Sequence, residues 1–431
     1  MGNNIKMYAV IGAGYGDEGK GLITDYFCGL SNENKKDKVL NIKVNGGAQA
    51  GHTVCRINSI ETGYKHNVFR QYGSGTFTGA DTLLLDTFML NIDELLKEKL
   101  LLEEIYFNNT KLLISKGCQV TLPIHVYINR FIENTRTKKH GSCGLGIYET
   151  FHMNNDFKQF TVDNLLEIYK TKDDQRFVEY FNELSLAYLE LREQELKKNE
   201  GIILSKKDKD SVLNDVNTEN NRLLQSLTDL IKMDNIIFME SLQEAIEKFN
   251  YTRLVFEHSQ GLELDQFDTR NFPHLTPSST GVMNIVKELN RNNLTQGANI
   301  EICFVTRSYK TKHGAGLFLE QDDSIMTQFG LYDRTNQPNQ YQGILKYGRL
   351  NIGRLKRLIF KQQDYLENNL DKMNKNNVKY SLAITHLDQT NGLVLESNGN
   401  GKYTNYTASK LNIGTETYVS FGEKATDVSR L

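Results

Sequence analysis

Seven consecutive residues near the start of the chain have the composition of a phosphate-binding loop. The segment Gly14-Tyr-Gly-Asp-Glu-Gly-Lys20 has the spacing Gly-x-x-x-x-Gly-Lys. Glycines allow successive backbone N–H groups to turn towards an anion, and the lysine reaches the terminal phosphates as a point charge. The spacing therefore predicts a nucleoside triphosphate site made by the loop residues Gly14, Gly16, Glu18, Gly19, Lys20 and Gly21.

One position of this loop departs from the usual pattern. An ordinary phosphate loop continues with Ser or Thr, whose hydroxyl binds magnesium, whereas this chain has Gly21. A Mg²⁺ cofactor therefore needs another oxygen ligand, and the carboxylate of Asp17 inside the loop is the candidate. A glycine-rich turn without a ligand is the alternative interpretation, but a strand before the loop and a helix after it favour a phosphate site.

A second segment of small residues carries a histidine. Val44-Asn-Gly-Gly-Ala-Gln-Ala-Gly-His-Thr53 follows a short strand and leaves His52 on a tight loop. The glycines before His52 favour close approach of the backbone to a ligand, although a lone histidine is as often a packed residue. An aspartate and a histidine at one nucleotide site suit proton transfer during phosphoryl transfer. Asp17, His52 and Lys20 are therefore the catalytic candidates.

The elements that must position these residues are those of an α/β domain. An apolar run at 7–12 precedes the loop, and the residues from Lys20 onwards have helical spacing. Similar short apolar runs, separated by helical stretches, recur at 82–85, 111–114, 254–256, 300–305 and 382–385. This alternation predicts a mostly parallel central sheet flanked by helices.

Residues 154–250 differ from the rest of the chain. They are polar, rich in Lys, Glu and Asn, and helical in period, with a charged stretch at Ser205–Asp210. We predict a helical subdomain with a solvated loop at that stretch, inserted in a single domain that spans residues 1–431.

Composition and charge exclude several classes of protein. The formal net charge is -2, so bulk electrostatics does not favour a nucleic-acid or membrane partner. No apolar run approaches the length of a membrane span. The cysteines are odd in number, widely spaced and without a CxxC pair, which predicts reduced thiols in a cytoplasmic protein and neither disulfides nor a zinc site: Cys28, Cys55, Cys118, Cys143 and Cys303.

The two glycine-rich segments together resemble the adenylosuccinate synthetase family. That family carries Gly-Asp-Glu-Gly-Lys-Gly and, about thirty residues later, Asn-Ala-Gly-His-Thr; this chain has Gly16–Gly21 and Gln49–Thr53. Further segments are similar to family motifs: Phe256–Gly261, Phe272-Pro273 with Thr276, Thr306-Arg307, Gly314–Phe318, Thr385–Asp388 and Ser420–Asp427. The resemblance implies a GTP-binding ligase fold and, from the family, a homodimer.

The resemblance also implies a chemistry. The family moves the γ-phosphate of GTP onto the 6-oxygen of inosine monophosphate (IMP), and the amine of L-aspartate then displaces that phosphate. Matched by motif, Asp17 takes the purine N1 proton and binds Mg²⁺ together with the Gly51 carbonyl, and His52 acts as an acid. Carried over in the same way, Thr53, Asp388 and Gly422 bind the nucleotide, and the substrate-binding positions are Gln49, Ser142, Cys143, Gln260, Thr276, Arg307, Lys346 and Arg349.

Asp388 has an independent argument. A carboxylate accepts hydrogen bonds from N1–H and the 2-amino group of guanine, which adenine does not offer. His386 stands where the family has a lysine over the base. We therefore expect GTP rather than ATP, while a carboxylate that caps a turn is the alternative interpretation.

Three departures bear on the substrate. The family's phosphate-holding threonines become Ser142 and Cys143, and the arginine sent across the family's dimer interface has only Lys158 near its place. The arginine cluster for aspartate and ribose is replaced by 341–349, with Lys346 and Arg349 as the remaining cations. Loss of an arginine at the ribose leaves open a deoxyguanosine monophosphate (dGMP) substrate, as in phage relatives. A GTP-binding regulatory protein is a third hypothesis, for which 154–250 would be the interaction surface.

Overall fold

The strands form one long central sheet and several two- or three-stranded sheets beside it. The computed structural model describes residues 5–30, 37–58, 63–105, 109–137, 140–295, 299–333, 336, 343–370, 377–398, 402–411 and 413–431. In these ranges the strands are β1 (Lys6–Gly12), β2 (Val39–Lys43), β3 (Gly46–Gly47), β4 (His52–Asn58), β5 (Gly63–Phe69), β6 (Asp81–Leu84), β7 (Phe88–Leu90), β8 (Leu112–Ser115), β9 (Gln119–Val120), β10 (Ile236–Met239), β11 (Arg253–Gly261), β12 (Asn299–Arg307), β13 (Lys310–Lys312), β14 (Lys346–Gly348), β15 (Val378–Thr385), β16 (Leu393–Ser397), β17 (Tyr403–Thr407), β18 (Glu416–Ser420) and β19 (Val428–Arg430).

Helices separate most of these strands. They are α1 (Lys20–Gly29), α2 (Ile92–Ile105), α3 (Pro123–Thr135), α4 (Ile147–His152), α5 (Val162–Tyr169), α6 (Asp174–Asn199), α7 (Lys206–Ile231), α8 (Leu242–Phe249), α9 (Met283–Arg291), α10 (Ser324–Phe329) and α11 (Ile352–Asn369). Among the helices of the described ranges, none is long and apolar enough to cross a membrane.

The central sheet has ten strands in the order β10-β8-β6-β2-β11-β1-β12-β15-β18-β19. Its pairings are parallel except that of β18 with β19 at one edge. All six predicted apolar runs are strands of this sheet, so the predicted mostly parallel sheet with flanking helices is confirmed. Because the carboxyl ends of parallel strands meet at one edge, the loops after β1, β2, β11, β12 and β15 collect there.

Helices cover both faces of the sheet because side chains alternate along each strand. From β1, Ala9 and Ile11 belong to the hydrophobic core that also contains residues of α9 and α11. Val10 belongs to the opposite core, together with Ile23 and Phe27 of α1. The strand that leads into the phosphate loop is therefore buried on both sides, which gives the loop a rigid base.

Residues 154–250, predicted as a helical subdomain, contain the helices α5, α6 and α7, and the structure differs from the prediction in two places. Ile236–Met239 was predicted as helix but is β10, the edge strand of the central sheet. The prediction failed because a run of four apolar residues is too short to show whether its period is that of a helix or of a strand. The charged stretch at Ser205–Asp210 is not a loop but the start of α7, since Ser205 Oγ accepts a hydrogen bond from Asp208 N–H at 3.2 Å and caps the helix.

Candidate active site

The phosphate loop joins β1 to α1 and packs against the segment that carries His52. Gly19 caps the helix in the left-handed conformation, with φ of 88°. A Cβ on Gly21 would lie 3.0 Å from both His52 Cβ and the Thr53 carbonyl oxygen. A side chain at position 21 would therefore need His52 and the start of β4 to move by a few tenths of an ångström, so the close packing of α1 on β4 favours glycine over the usual hydroxyl residue.

The carboxylate of Glu18 occupies the interior of the loop. Its Oε1 accepts hydrogen bonds from the N–H groups of Gly14 at 2.9 Å and Gly16 at 2.7 Å, and Oε2 accepts one from Lys20 Nζ at 2.9 Å. Burial acts to raise the pKa of Glu18, but Lys20 and the Gly16 N–H outweigh it and lower the pKa. The loop thus holds an anion, but that anion is Glu18, so an incoming phosphate must compete with this carboxylate.

Asp17 lines a cavity of about 760 Å³ at the carboxyl edge of the sheet. Its Oδ2 lies 3.8 Å from His313 Nε2, and its backbone carbonyl accepts a hydrogen bond from Arg307 Nε. Burial raises the pKa of Asp17, and the positive charges of His313 and Arg307 offset this only in part. A carboxylate with a raised pKa beside a cavity is suited to take a proton from a bound molecule.

The same carboxylate offers a ligand for Mg²⁺. Asp17 and Gly51 both line the cavity, and a carboxylate oxygen and a backbone carbonyl are the hard oxygen donors that Mg²⁺ prefers. In the part of the chain that the structure describes, the ion partner recorded for Asp17 is His313, not a lysine or arginine side chain. The donor set therefore fits the cofactor that the resemblance implies.

His52 is not itself in the cavity lining, although its neighbours Gly51 and Thr53 are, and it belongs to a buried network of charges. Its Nδ1 is hydrogen-bonded to Glu257 Oε1, which also lies 3.4 Å from Lys43 Nζ and accepts a 2.5 Å hydrogen bond from Ser74 Oγ. Burial and then Lys43 lower the pKa of His52; burial acts to raise that of Glu257, but Lys43 and His52 lower it. An ionised carboxylate only accepts, so Nδ1 carries a hydrogen, and the second ring nitrogen, Nε2, lies 3.4 Å from the Ser259 carbonyl oxygen.

The cavity brings together predicted residues from four distant parts of the chain. Its lining includes Gly16, Asp17, Gln49, Gly51, Thr53, Ser142, Cys143, Gln260 and Thr276. The side-chain oxygen and nitrogen of Gln49 are both buried and have no hydrogen-bond partner among the described residues. A buried amide without partners is costly unless a ligand satisfies it, so Gln49 is placed to bind a polar molecule.

Other predicted substrate residues do not line this cavity. Arg349 donates to Asp322 at 2.7 Å and Asn405 at 3.1 Å, and Arg307 donates to Tyr309 at 2.9 Å and Asp333 at 2.7 Å. Both guanidinium groups are thus engaged by protein partners in this structure, whereas the sequence predicted substrate contacts for them.

The two lysines considered for substrate contacts also lie off the cavity lining. Lys346 donates to the Gly314 carbonyl at 3.0 Å, and Lys158 donates to the Tyr180 hydroxyl at 2.8 Å on the surface. Tyr341 and Gln342, the start of the segment compared with the arginine cluster, lie outside the described residues.

Two cations that the sequence analysis missed take their place in the cavity. Lys312 and Arg70 line it, and no carboxylate partner is recorded for either within the described ranges. Lys312 Nζ donates to the carbonyl oxygens of His313 and Ala315; burial and then Lys346 lower its pKa to about 8. Lys312 lies in the short insertion that separates Thr306-Arg307 from Gly314–Phe318. This insertion is the sequence feature that could have pointed to Lys312 as a site residue.

Arg70 is held rigidly at the cavity wall. Its backbone N–H donates to Glu98 at 2.8 Å, and Nη1 donates to the Ala48 carbonyl at 3.1 Å. The positive charges of Arg70 and Arg130 both act on the thiol of Cys143, whose pKa is raised by burial. Arg70 therefore lies beside the loop that contains Ser142 and Cys143, where the sequence predicts a substrate phosphate.

The predicted base-binding residues lie together at the same edge of the sheet but outside the cavity lining. Leu387 N–H donates to the Ser420 carbonyl at 3.1 Å, which joins the loops after β15 and β18. The Asp388 side chain is exposed there, although its carboxyl is partly shielded from solvent by the protein. This partial burial raises the pKa of Asp388, and the negative charges of Glu423 and Asp427 raise it further. Thr385 Oγ1 donates to the Glu18 carbonyl at 2.7 Å and so connects this edge to the phosphate loop.

Comparison with known proteins identifies the family of this chain. A family model described as adenylosuccinate synthetase matches residues 9–336. The adenylosuccinate synthetase of Mesoplasma florum is 29% identical over 322 residues, which are 73% of this chain but 64% of the relative, less than two thirds of its length. That of Finegoldia magna is 24% identical over 349 residues, 79% of this chain and 73% of the relative.

Two solved structures share the fold. A fully ligated adenylosuccinate synthetase from Plasmodium falciparum has a TM-score of 0.65 at 17% identity and covers 99% of both chains. The cyanophage S-2L succinoaminodeoxyadenylate synthetase, bound to dGMP and to dATP as an energy donor, has a TM-score of 0.57 at 13% identity and covers 99% of this chain and 95% of that one.

Proposed function

This chain belongs to the adenylosuccinate synthetase family of carbon–nitrogen ligases, and from that premise we propose that it joins L-aspartate to IMP with GTP. The γ-phosphate moves to the 6-oxygen, the aspartate amine bonds to carbon 6, and phosphate leaves with that oxygen. The observation that carries the proposal is that the Asp17 carboxylate lines the cavity and that His52, whose neighbours Gly51 and Thr53 also line it, is held by Glu257. A protein that merely bound a nucleotide would need neither group.

Asp17 is proposed to take the N1 proton of the purine. Removing that proton concentrates negative charge on the 6-oxygen and makes it the nucleophile for phosphoryl transfer. Burial raises the pKa of Asp17 above its ordinary value, which strengthens the carboxylate as a base. Mg²⁺ held by Asp17 and the Gly51 carbonyl would neutralise phosphate charge.

His52 is proposed to act on the transferring phosphate through Nε2. Glu257 fixes the ring through Nδ1, while burial and Lys43 keep the resting imidazole neutral. A phosphate anion beside Nε2 raises the imidazole pKa, because it favours the charged form. The ring then gains a proton when the phosphate arrives and donates it as charge develops in the transition state.

Arg70 is proposed to bind the 5′-phosphate of the monophosphate from within the same chain. Replacing it with Gln removes a charge-assisted hydrogen bond, for which we expect KM for the monophosphate to rise about 10–100-fold with a much smaller change in kcat. Steady-state kinetics at saturating GTP and aspartate measures this. Arg222→Gln, on the exposed face of α7, is the matched control; equal KM values for the Arg70 variant and wild type would refute the role.

Lys312 is proposed to bind a carboxylate of the amine donor in place of the absent arginine cluster. Its lowered pKa of about 8 means that the ammonium is charged below pH 8 and neutral above it. We therefore expect KM for aspartate to increase as pH rises through about 8, and Lys312→Met to show a high KM without that inflection. Lys170→Met, at an exposed lysine paired with Glu167, serves as the comparison, and an unchanged pH profile in the Lys312 variant contradicts the proposal.

A dGMP-specific ligase is the second candidate function. Arg349 and Lys346, the cations nearest to the family's ribose-binding arginine, are turned to protein partners and do not line the cavity. A site without an arginine that binds the ribose makes fewer contacts to the 2′-hydroxyl, so it should discriminate less against a deoxyribonucleotide.

One assay separates these functions. Purified protein is given GTP or ATP, IMP or dGMP, and aspartate, and phosphate release and product mass are followed. Release that needs IMP and aspartate supports the first function, and release that needs dGMP supports the second. Tight GTP binding without release under any combination would identify a regulatory nucleotide binder and reject both.

A further inference from the structure

Two potential metal ligands stand opposite each other on the hairpin of β4 and β5. Cys55 and His66 are directly paired across the antiparallel ladder, so their side chains lie on the same face. Cys55 is buried and His66 is exposed. The register of the two strands therefore fixes a thiol and an imidazole side by side, about a dozen residues apart in sequence but with no CxxC spacing.

A third ligand comes from the other end of the chain. Glu423 follows β18 in the loop that also contains Gly422, and its Oε2 lies 3.0 Å from His66 Nε2. One donor atom from each of Cys55, His66 and Glu423 lies within 4.8 Å of the other two. Donors in a tetrahedral zinc site, with bonds of about 2.0–2.3 Å, are roughly 3.3–3.8 Å apart, so shifts of about 1 Å would complete the geometry.

We propose that Cys55, His66 and Glu423 form a binding site for Zn²⁺ or a similar divalent transition metal. A thiolate, an imidazole and a carboxylate together favour Zn²⁺ over Mg²⁺, which prefers oxygen ligands alone. Asp388 and Asp427 lie near Glu423 and make the surroundings negative, although Lys424 pairs with Asp427 at 3.7 Å. Because His66 and Glu423 are exposed, a metal ion can enter from solvent, and a water molecule can complete the coordination.

The proposed metal site lies between the strand that begins at His52 and the loop that contains Gly422. β4 begins at His52, and Glu423 is adjacent to Gly422 in the predicted base-binding loop. A bound metal would cross-link the strand of the candidate acid to the loop beside the nucleotide base. The site is separate from the Mg²⁺ position at Asp17 and Gly51, and it stands on geometry that does not depend on the ligase reaction.

Cobalt binding tests the proposal directly. The full-length protein, freed of metal with a chelator, is titrated with Co²⁺, whose thiolate complexes absorb in the near ultraviolet. We expect one equivalent to bind with a thiolate-to-cobalt charge-transfer band that Zn²⁺ abolishes. Cys55→Ser should lose the band, and His66→Gln should weaken Co²⁺ binding by about tenfold or more.

Two further measurements keep the outcome interpretable. Cys303→Ala removes another buried thiol, in β12, and should retain the band. Since His66 is exposed, His66→Gln should leave the core intact, so it tests the proposal even if Cys55→Ser fails to fold. Thermal unfolding shows whether each variant is folded. Absence of a thiolate band in the wild type, or its persistence in folded Cys55→Ser, would overturn the proposal and leave the three residues as an ordinary polar contact.

Discussion

The variant Asp17→Asn should lose about 10³-fold in kcat/KM for the coupled reaction, within the range for removal of a general base. Asparagine has almost the same shape as aspartate, but it cannot accept the N1 proton and is a poorer ligand for Mg²⁺. The backbone contact from Arg307 to the Asp17 carbonyl does not depend on the side chain, so the loop should keep its conformation. Phosphate release with GTP, IMP and aspartate gives the rate.

GTP affinity and the pH profile distinguish loss of the catalytic base from loss of the phosphate loop's conformation. Asp17→Asn should retain GTP binding by calorimetry, because Lys20 and the loop N–H groups are unchanged. Burial raises the Asp17 pKa above its ordinary value of 3.8, so wild-type kcat/KM should fall on acidification at a pH above that value, as the base becomes protonated. Asp229→Asn, on α7, is the matched control. Activity in Asp17→Asn close to that of the wild type would exclude Asp17 as the base.

The variant His52→Asn should lose about 10²–10⁴-fold in kcat, with a smaller change in the KM values. Nδ1 of the imidazole is held by Glu257, and Nε2, which among the described residues has only a 3.4 Å contact with the Ser259 carbonyl, is the nitrogen proposed to donate to the phosphate. Asparagine fills part of the space and can still donate to Glu257, but it cannot carry an exchangeable charge. Single-turnover measurement of GTP cleavage isolates this step from product release.

The partner of His52 supplies a second test of the same network. Glu257→Gln should also lower kcat, because the ring loses the carboxylate that orients it and stabilises its charged form. It also leaves the Lys43 ammonium without its buried counter-charge, which should lower the thermal midpoint. His52→Asn with full kcat would remove His52 from the mechanism, and a folded Glu257→Gln with full kcat would show that Glu257 does not orient it.

Local sequence was sufficient for the phosphate loop and for six of the ten strands of the sheet that carries it. Short apolar runs bounded by polar residues predicted six strands of the central sheet, because burial on both faces requires continuous apolar residues. The same reasoning missed β10, which is as apolar as the others but lies within a helical stretch. A period cannot be read from four residues, so its pairing with β8 was decided by the tertiary structure.

Motif matching located the cavity residues but not the partners of charged side chains. Arg349 and Arg307 were predicted to bind substrate, yet the structure pairs them with Asp322 and Asp333. Lys312, in an insertion that no motif covers, lines the cavity instead. Whether a cation is available to a ligand depends on which carboxylates fold next to it, and these come from distant segments.

The sequence by itself determined that Gly14–Lys20 form a loop between a buried strand and a helix, with Asp17 inside it, because those constraints act between neighbours in the chain. Only the tertiary structure decided that Glu18 fills the loop, that Glu257 holds His52, and that Cys55 and His66 meet Glu423. Each of those contacts depends on a direction of a side chain or on a long-range pairing, which spacing along the sequence does not encode.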